Sequence, residues 1–147
     1  MVFFDAKSAA AIEALAETIL PEDETPGARQ AGVIYFIDRA LSTFDRNQQE
    51  IYRRGLKSTE RVRKRIFPAS VSIATLSVAE RIQLVQAIEK TVFFEALRVH
   101  TVMGFLAHPN WGVNQAEAGW KLIGFDDSMT FNPPFGYYDD PKNGYVK

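Results

Sequence analysis

The side chains in this sequence best suited to acid–base catalysis or metal binding are its two histidines. His100 and His108 would lie about 80° apart around a helix. Two ligands do not make a zinc site, and no cysteine or HExxH motif supplies the rest. Because His108 precedes Pro109, we predict that it caps the C-terminal end of a helix. An independent metal-binding protein or enzyme that uses His100 and His108 is the alternative hypothesis.

Paired carboxylates are the next candidates for chemistry. They occur at residues 22–24, 126–127 and 139–140, in segments rich in proline or glycine that are typical of solvated loops. General acid–base catalysis needs one carboxyl group buried and its pKa separated from that of the other, and nothing in these loops indicates such burial. The sequence therefore predicts no catalytic residue and no metal ligand.

Cofactor motifs are missing as well. The sequence has neither GxGxxG nor GxxxxGK[ST], the glycine patterns that bring a backbone close to phosphate. Without cysteine, the chain cannot provide a disulfide, a thiolate nucleophile, an iron–sulfur ligand or a CxxCH haem attachment. We expect no cofactor in this chain.

Composition narrows the class of protein. The 147 residues fit one domain, and 46% of them are apolar, which is enough for a buried core. The net charge is −1, so no overall attraction draws the chain toward nucleic acid. The basic block at residues 61–67 is interpreted as a solvated helix face, because no aromatic side chains interleave it. We expect no nucleic-acid binding and no direct membrane span.

Hydrophobic periodicity predicts helices along most of the chain. The first helix is predicted to start with Ser8 as N-cap and to stop before Pro21. The second is predicted to start with Thr25 as cap and Pro26 as its first residue. Its apolar stripe indicates a side that faces the core. The stripe comprises Val33, Phe36, Ile37, Ala40, Leu41 and Phe44.

A third helix is predicted to open with a capping box of Asp45 and Gln48 and to end at Phe67-Pro68. Gly55 is its candidate for a close contact with another element. The predicted apolar stripe comprises Ile51, Tyr52, Leu56, Val62 and Ile66.

Ser77 and Glu80 form another capping box, ahead of an apolar segment that runs to Ala107. This segment is long for one globular helix, so we predict a break near Lys90–Thr91. No sustained alternation predicts a strand. The predicted fold class is all-α, with four to five helices in a small bundle and an irregular, extended, aromatic and Pro-rich C-terminal tail.

Two separated runs carry a resemblance. ALAETILPEDETPGARQAGVIYFIDRAL, residues 14–41, joins a helix, an ILP stop, an acidic loop and a TPGA-type helix start. GFLAHPNWGVNQAEAGWKLIGF, residues 104–125, has a helix that ends in His-Pro, then an aromatic-Gly turn and a GWKLIG segment. Both resemble signatures of the gluconate 2-dehydrogenase subunit 3 family. Val113 stands where a second glycine is usual, so the turn is expected to differ locally.

The resemblance implies a non-catalytic small, or gamma, subunit of a bacterial sugar, sugar-acid or polyol dehydrogenase complex. In such complexes the large subunit carries FAD and oxidises the substrate, and a cytochrome c or other acceptor takes the electrons. The small subunit assists assembly or export, often with a twin-arginine signal. Arg53-Arg54 is internal, so no such signal is seen. We expect a periplasmic location within the complex, with a cytoplasmic one as the alternative.

Within this interpretation, the second run is predicted to be a docking surface. Pro109 would end a helix, Gly112 would permit a tight turn, and Trp111 and Asn114 would project from it. Tryptophan is a common anchor at interfaces, whereas Trp120 is interpreted as part of the core. The candidate partner contacts from this run are His108, Pro109, Trp111 and Asn114.

Residues 126–147 are predicted to be an extended arm after a helical domain of residues 1–125. Proline removes backbone donors, so regular structure is not expected in the arm. Its aromatic side chains are too numerous for a solvated end, and we expect them to pack on the large subunit. The candidate contacts are Phe131, Pro133, Pro134, Phe135, Tyr137 and Tyr138.

Overall fold

The computed structural model describes residues 1–128, and these residues are all helical, with no strand. The predicted all-α class is confirmed. The described residues contain six α-helices, with short 3-10 turns at Arg46–Gln48, Ile73–Thr75, Pro109–Trp111 and Gln115–Glu117. The α-helices are α1 (Ala6–Ile19), α2 (Val33–Ser42), α3 (Gln49–Ile66), α4 (Val78–Ile88), α5 (Val92–Leu106) and α6 (Ala118–Ile123). The prediction was four to five helices, and α6, within the second signature run, is the helix that was not expected.

The start of α1 differs from the prediction. Asp5, not Ser8, is the N-cap, and its carboxylate accepts the backbone N–H of Ser8 at 2.7 Å. That contact holds the pKa of Asp5 below its usual value, because the hydrogen bond favours the ionised form. The helix ends at Ile19, ahead of Pro21, as predicted.

The start of α2 is seven residues later than the first helical residue predicted, Pro26. The carboxylate of Glu17 accepts the N–H groups of Glu22 and Arg29, at 3.0 and 2.8 Å, and so folds the loop back against α1. Gly32 then takes a left-handed conformation with φ 73° and leads directly into α2. A helix from Pro26 onward would lose these long-range contacts.

Predictions at the other helix ends are mostly confirmed. The Asp45–Gln48 capping box is wrong, because the side chain of Asp45 makes no cap and bonds to α5 instead. The Ser77–Glu80 box is present with both of its hydrogen bonds. The helix α3 stops just before Phe67-Pro68, and the predicted break separates α4 from α5.

Helix α1 packs against α2, α4 and α5, and α5 also packs against α2 and α3. Gly55 on α3 is a close-contact point, as predicted, because an added Cβ there would overlap the ring of Phe93. The α3 stripe is only partly confirmed, since Ile66 is exposed. The basic block is not wholly solvated either, because buried Arg63 pairs with Glu60. The innermost side chains include Ile12, Leu15, Ile37, Leu41, Leu84 and Leu97.

A buried polar network crosses this core. The hydroxyl of Tyr52 lies 2.8 Å from Nδ1 of His100, and Nε2 of His100 lies 3.0 Å from Oδ2 of Asp45. Burial, helped by the charge of Asp45, raises the pKa of Tyr52, so its hydroxyl stays protonated and donates to Nδ1. Nε2 then carries the ring proton and donates a hydrogen bond to Oδ2 of Asp45. The network ties α3, α5 and the loop between α2 and α3 together.

We expect Tyr52→Phe to lower the free energy of unfolding by about 1–2 kcal/mol, because it leaves the buried Nδ1 of His100 without its donor. The aromatic ring is retained, so the effect reports the hydroxyl alone. Urea denaturation of the isolated subunit measures it. Tyr35→Phe, at an exposed tyrosine, is the control and is expected to stay within about 0.5 kcal/mol. Equal stability of the two variants would contradict the role given to the network.

Candidate docking site

An apolar groove of about 470 Å³ lies between the C-terminal half of α2 and the segment that follows α5. We call it the docking groove. The helix α2 and its end provide one wall, and the residues after α5 provide the other. It is lined by Phe36, Arg39, Thr43, Phe44, Ala107, His108 and Trp111.

The floor of the groove is set by contact between α2 and α5. Gly104 on α5 allows Phe36 to approach closely, since an added Cβ would lie 2.9 Å from Cβ of Phe36. The ring of Phe36 stands edge-on to Phe44, with 6.2 Å between centroids, and edge-on to His100. Phe44 was predicted to belong to the core stripe of the second helix. It lies beyond the end of α2 and is 62% exposed.

The opposite wall is a 3-10 turn, Pro109–Trp111, that starts with Pro109 at its first position. Gly112 takes φ 76° and turns the chain, as its position in the sequence predicted. Trp111 is left 62% exposed, as predicted, and its backbone carbonyl accepts a hydrogen bond from Nη1 of Arg39 at 3.0 Å. The turn and α2 are thereby joined across the groove.

Asn114 does not project as predicted; it is fully buried. Its Nδ2 donates to the carbonyl of Ala107 at 3.0 Å, and its Oδ1 accepts the N–H of Gly119 at 2.7 Å. It has φ 47°, a left-handed conformation that asparagine tolerates better than most residues. Val113, at the position of the family's usual second glycine, is buried and does not take a positive φ. Asn114 therefore holds the segment that follows the Pro109–Trp111 turn in place from inside the fold.

The predicted cap role of His108 at the end of α5 is also wrong. The carbonyl of Leu106, at the C-terminal end of α5, accepts the indole N–H of Trp120 at 2.8 Å. The carbonyl of Ala107 accepts a hydrogen bond from Nδ2 of Asn114. His108 instead starts the 3-10 turn, where its Nδ1 accepts the N–H of Asn110 at 3.2 Å. Its Nε2 lies 3.4 Å from a carboxylate oxygen of Asp127. Trp120 itself is buried, as predicted.

The geometry does not favour a metal site at the histidines. Both ring nitrogens of His100 are engaged, by Tyr52 and Asp45, and His100 is buried. Within residues 1–128, no group of three or more His, Cys, Asp or Glu side chains is placed to hold a metal ion.

The predicted contacts in the C-terminal arm lie outside the described residues. These are Phe131, Pro133, Pro134, Phe135, Tyr137 and Tyr138. The part of the arm that is described ends at Ser128, next to Asp127 and its contact with His108.

The sequence profile of gluconate 2-dehydrogenase subunit 3 matches residues 6–127, which includes every residue of the docking groove. The chain belongs to this family. The resemblance carried by the two signature runs is therefore confirmed, and the family name describes one subunit of a dehydrogenase complex, which implies a catalytic partner subunit. Neither the curated proteins nor the solved structures gave a match to this chain. None of the helices in residues 1–128 is long and apolar enough to span a membrane.

Sequence reasoning missed five of the seven residues that line the groove in this gluconate 2-dehydrogenase subunit 3 chain, namely Phe36, Arg39, Thr43, Phe44 and Ala107. Phe36 and Phe44 were assigned to a core stripe, and Arg39 was not considered. One signal was available: Phe44 lies three residues after Leu41 and directly before the predicted cap Asp45, so it is at the edge of any helix drawn there.

Proposed function

We propose that this chain is the non-catalytic small subunit of a dehydrogenase complex that oxidises sugars, sugar acids or polyols. It binds and stabilises the catalytic subunit, which carries FAD, and it assists assembly or export of the complex. The observation that carries the proposal is the docking groove, an open apolar site inside the region that defines the family.

Exposed aromatic residues at the groove support this role. Trp111 and Phe44 lie on opposite walls of the groove, and each is 62% exposed. Leaving two large aromatic side chains in water is costly, and anchors of this kind dominate binding energy when a partner covers them. Further apolar side chains, Leu122, Ile123 and Phe125, are exposed around the end of α6.

A second set of exposed apolar side chains lies on α5. Val92, Val99 and Met103 are exposed at spacings that place them on one face of the helix. A large apolar area on a small protein is typical of a surface that is covered in an assembly. A stable interface needs roughly 800 Å² from each partner, which one groove alone does not supply.

In the complex we propose that electrons pass from the FAD of the catalytic subunit to a cytochrome c or another acceptor, without a redox group in this chain. We propose a periplasmic location for the assembled enzyme, with a cytoplasmic one as the alternative. Either location is compatible with a subunit that acts through its surface.

Co-expression tests the proposal. The chain is produced with an affinity tag together with a candidate catalytic subunit, an FAD-binding oxidoreductase from the same source. We expect the two to co-purify, and we expect flavin and sugar-dependent dye reduction in the complex. The chain purified alone is the control and is expected to be colourless and inactive. Flavin or turnover in the chain alone, or failure of the two proteins to associate, would refute the proposal.

The C-terminal arm gives a second test of the interface. Deletion of residues 129–147 is expected to leave a helical domain, because the core cluster among the described residues runs from Phe4 to Phe105. Loss of the proposed aromatic contacts is expected to weaken the complex at least tenfold, or about 1.4 kcal/mol. Circular dichroism and titration of the catalytic subunit measure the two effects. Unfolding of the truncated chain, or undiminished affinity, would contradict the proposed role of the arm.

A further inference from the structure

The docking groove combines apolar walls with one permanent cation. Phe36, Phe44 and Trp111 provide its large apolar surfaces, and Arg39 lies on the same lining. Among residues 1–128, no carboxylate is part of that lining, and Asp127 lies 3.4 Å from Nε2 of the lining residue His108. A partner group that fills this site therefore meets hydrophobic surface and positive charge together.

Arg39 is held in place but not neutralised. Its Nη1 donates to the carbonyl of Trp111, and in residues 1–128 no carboxylate lies within ion-pair distance of it. A guanidinium has five N–H donors in a fixed fork, so four are left after this contact. A side chain fixed in this way loses less entropy when it binds a carboxylate than a free arginine would.

We propose that the docking groove receives a segment of the catalytic subunit in which apolar or aromatic side chains stand beside an aspartate or glutamate. The apolar side chains fill the space between Phe36, Phe44 and Trp111. The carboxylate pairs with the free edge of the Arg39 guanidinium. This inference rests on the proposed function and specifies which surface of the partner this chain recognises.

Charge complementarity favours this occupant over a purely apolar one. An apolar segment alone would cover Arg39 and remove water from its unpaired donors, which is costly for a charged group. A carboxylate on the partner satisfies those donors with two parallel hydrogen bonds. The pair also rejects segments that carry lysine or arginine at that place, so it contributes specificity as well as affinity.

Photo-cross-linking identifies the occupant. Benzoylphenylalanine is introduced at Phe44, inside the groove, and at the exposed Val71 as a control, in the complex formed with the catalytic subunit. We expect Phe44, but not Val71, to give a cross-linked peptide from the catalytic subunit that contains apolar residues and an acid. A cross-link to residues 129–147 of this chain, to a second copy, or to a peptide without an acid would overturn the inference.

Charge exchange at Arg39 tests the ion pair. We expect Arg39→Glu to weaken the complex at least tenfold, and Lys in place of the identified acid to restore most of this loss. Arg39→Gln retains an amide donor for the Trp111 carbonyl and is expected to lie between Arg39→Glu and the unmodified chain. Thermal melts of the free variants control for folding.

The outcomes separate the two proposals. If the unmodified chain does not bind the catalytic subunit at all, the proposed function fails. If the unmodified chain binds, and both Arg39→Glu and Arg39→Gln bind as tightly as it does, only the inference about the groove fails. An Arg39→Glu chain that does not fold leaves the decision to Arg39→Gln and to the cross-link from Phe44.

Discussion

Asn114→Ala is expected to lower the free energy of unfolding by about 3 kcal/mol or more. Asn114 is fully buried and bonds to two backbone groups, the carbonyl of Ala107 and the N–H of Gly119. Alanine leaves both without a partner, and a buried polar group that loses its hydrogen bond costs about 1–3 kcal/mol. Alanine must also adopt φ 47°, a left-handed conformation that costs about 1–2 kcal/mol and that asparagine tolerates better than alanine.

Asn110→Ala is the matched control, because Asn110 lies in the same loop but is exposed. We expect it to change stability by less than about 0.5 kcal/mol. Urea denaturation of both purified subunits makes the comparison. If the two variants unfold at the same urea concentration, the buried contacts of Asn114 do not stabilise the loop.

The same variant separates stability from function. The backbone carbonyl of Trp111 is bound by Arg39, and Asn114 holds the chain on either side of the turn that carries Trp111. At a temperature where the Asn114→Ala chain is still folded, we expect weaker binding to the catalytic subunit, because the loop that carries Trp111 is less well ordered. Asn114 is therefore a positioning residue and not a contact residue.

Sequence rules succeeded where a local signal has no competitor. Pro21 and Pro68 end helices whatever lies around them, and the Ser77–Glu80 box is satisfied within four residues of sequence. Each of these depends on neighbouring backbone groups alone.

The same rules failed where a polar side chain has a distant partner. Asp45 has the sequence of a cap, but its carboxylate bonds to His100, 55 residues away. Glu17 holds the loop before α2 through the N–H of Arg29. Asp38 is a buried residue of α2, and its carboxylate accepts the N–H groups of Val2, Phe3 and Phe4. Residue type alone does not show which of two partners such a group takes.

The candidate site was predictable in part for the same reason. Gly112 and Pro109 fix the shape of a turn locally, and from that shape the exposure of Trp111 follows. Asn114 was misjudged because its partners, at Ala107 and Gly119, come together only after α6 folds back on α5. Its residue type was nevertheless a signal, since asparagine next to a glycine turn is suited to a positive φ.

Trp111→Ala is expected to weaken binding of the catalytic subunit about 30-fold or more, a loss of at least 2 kcal/mol. The indole is exposed on a concave apolar surface, and tryptophan has a large area to bury at little entropic cost. The backbone carbonyl that Arg39 binds is unchanged by the substitution, so the turn keeps its link to α2. The stability of the free subunit is expected to stay within about 0.5 kcal/mol.

Val71→Ala is the control, because Val71 is an exposed apolar residue in the connector between α3 and α4, away from the docking groove. It is expected to leave affinity unchanged. Titration of the catalytic subunit with each chain measures binding, and thermal denaturation of the free chains measures folding. An affinity loss in Trp111→Ala that comes with an equal loss of stability would place the indole in the subunit's own packing. Unchanged affinity and unchanged stability would mean that the partner binds elsewhere, because an indole on a covered groove wall cannot be removed without loss of buried apolar area.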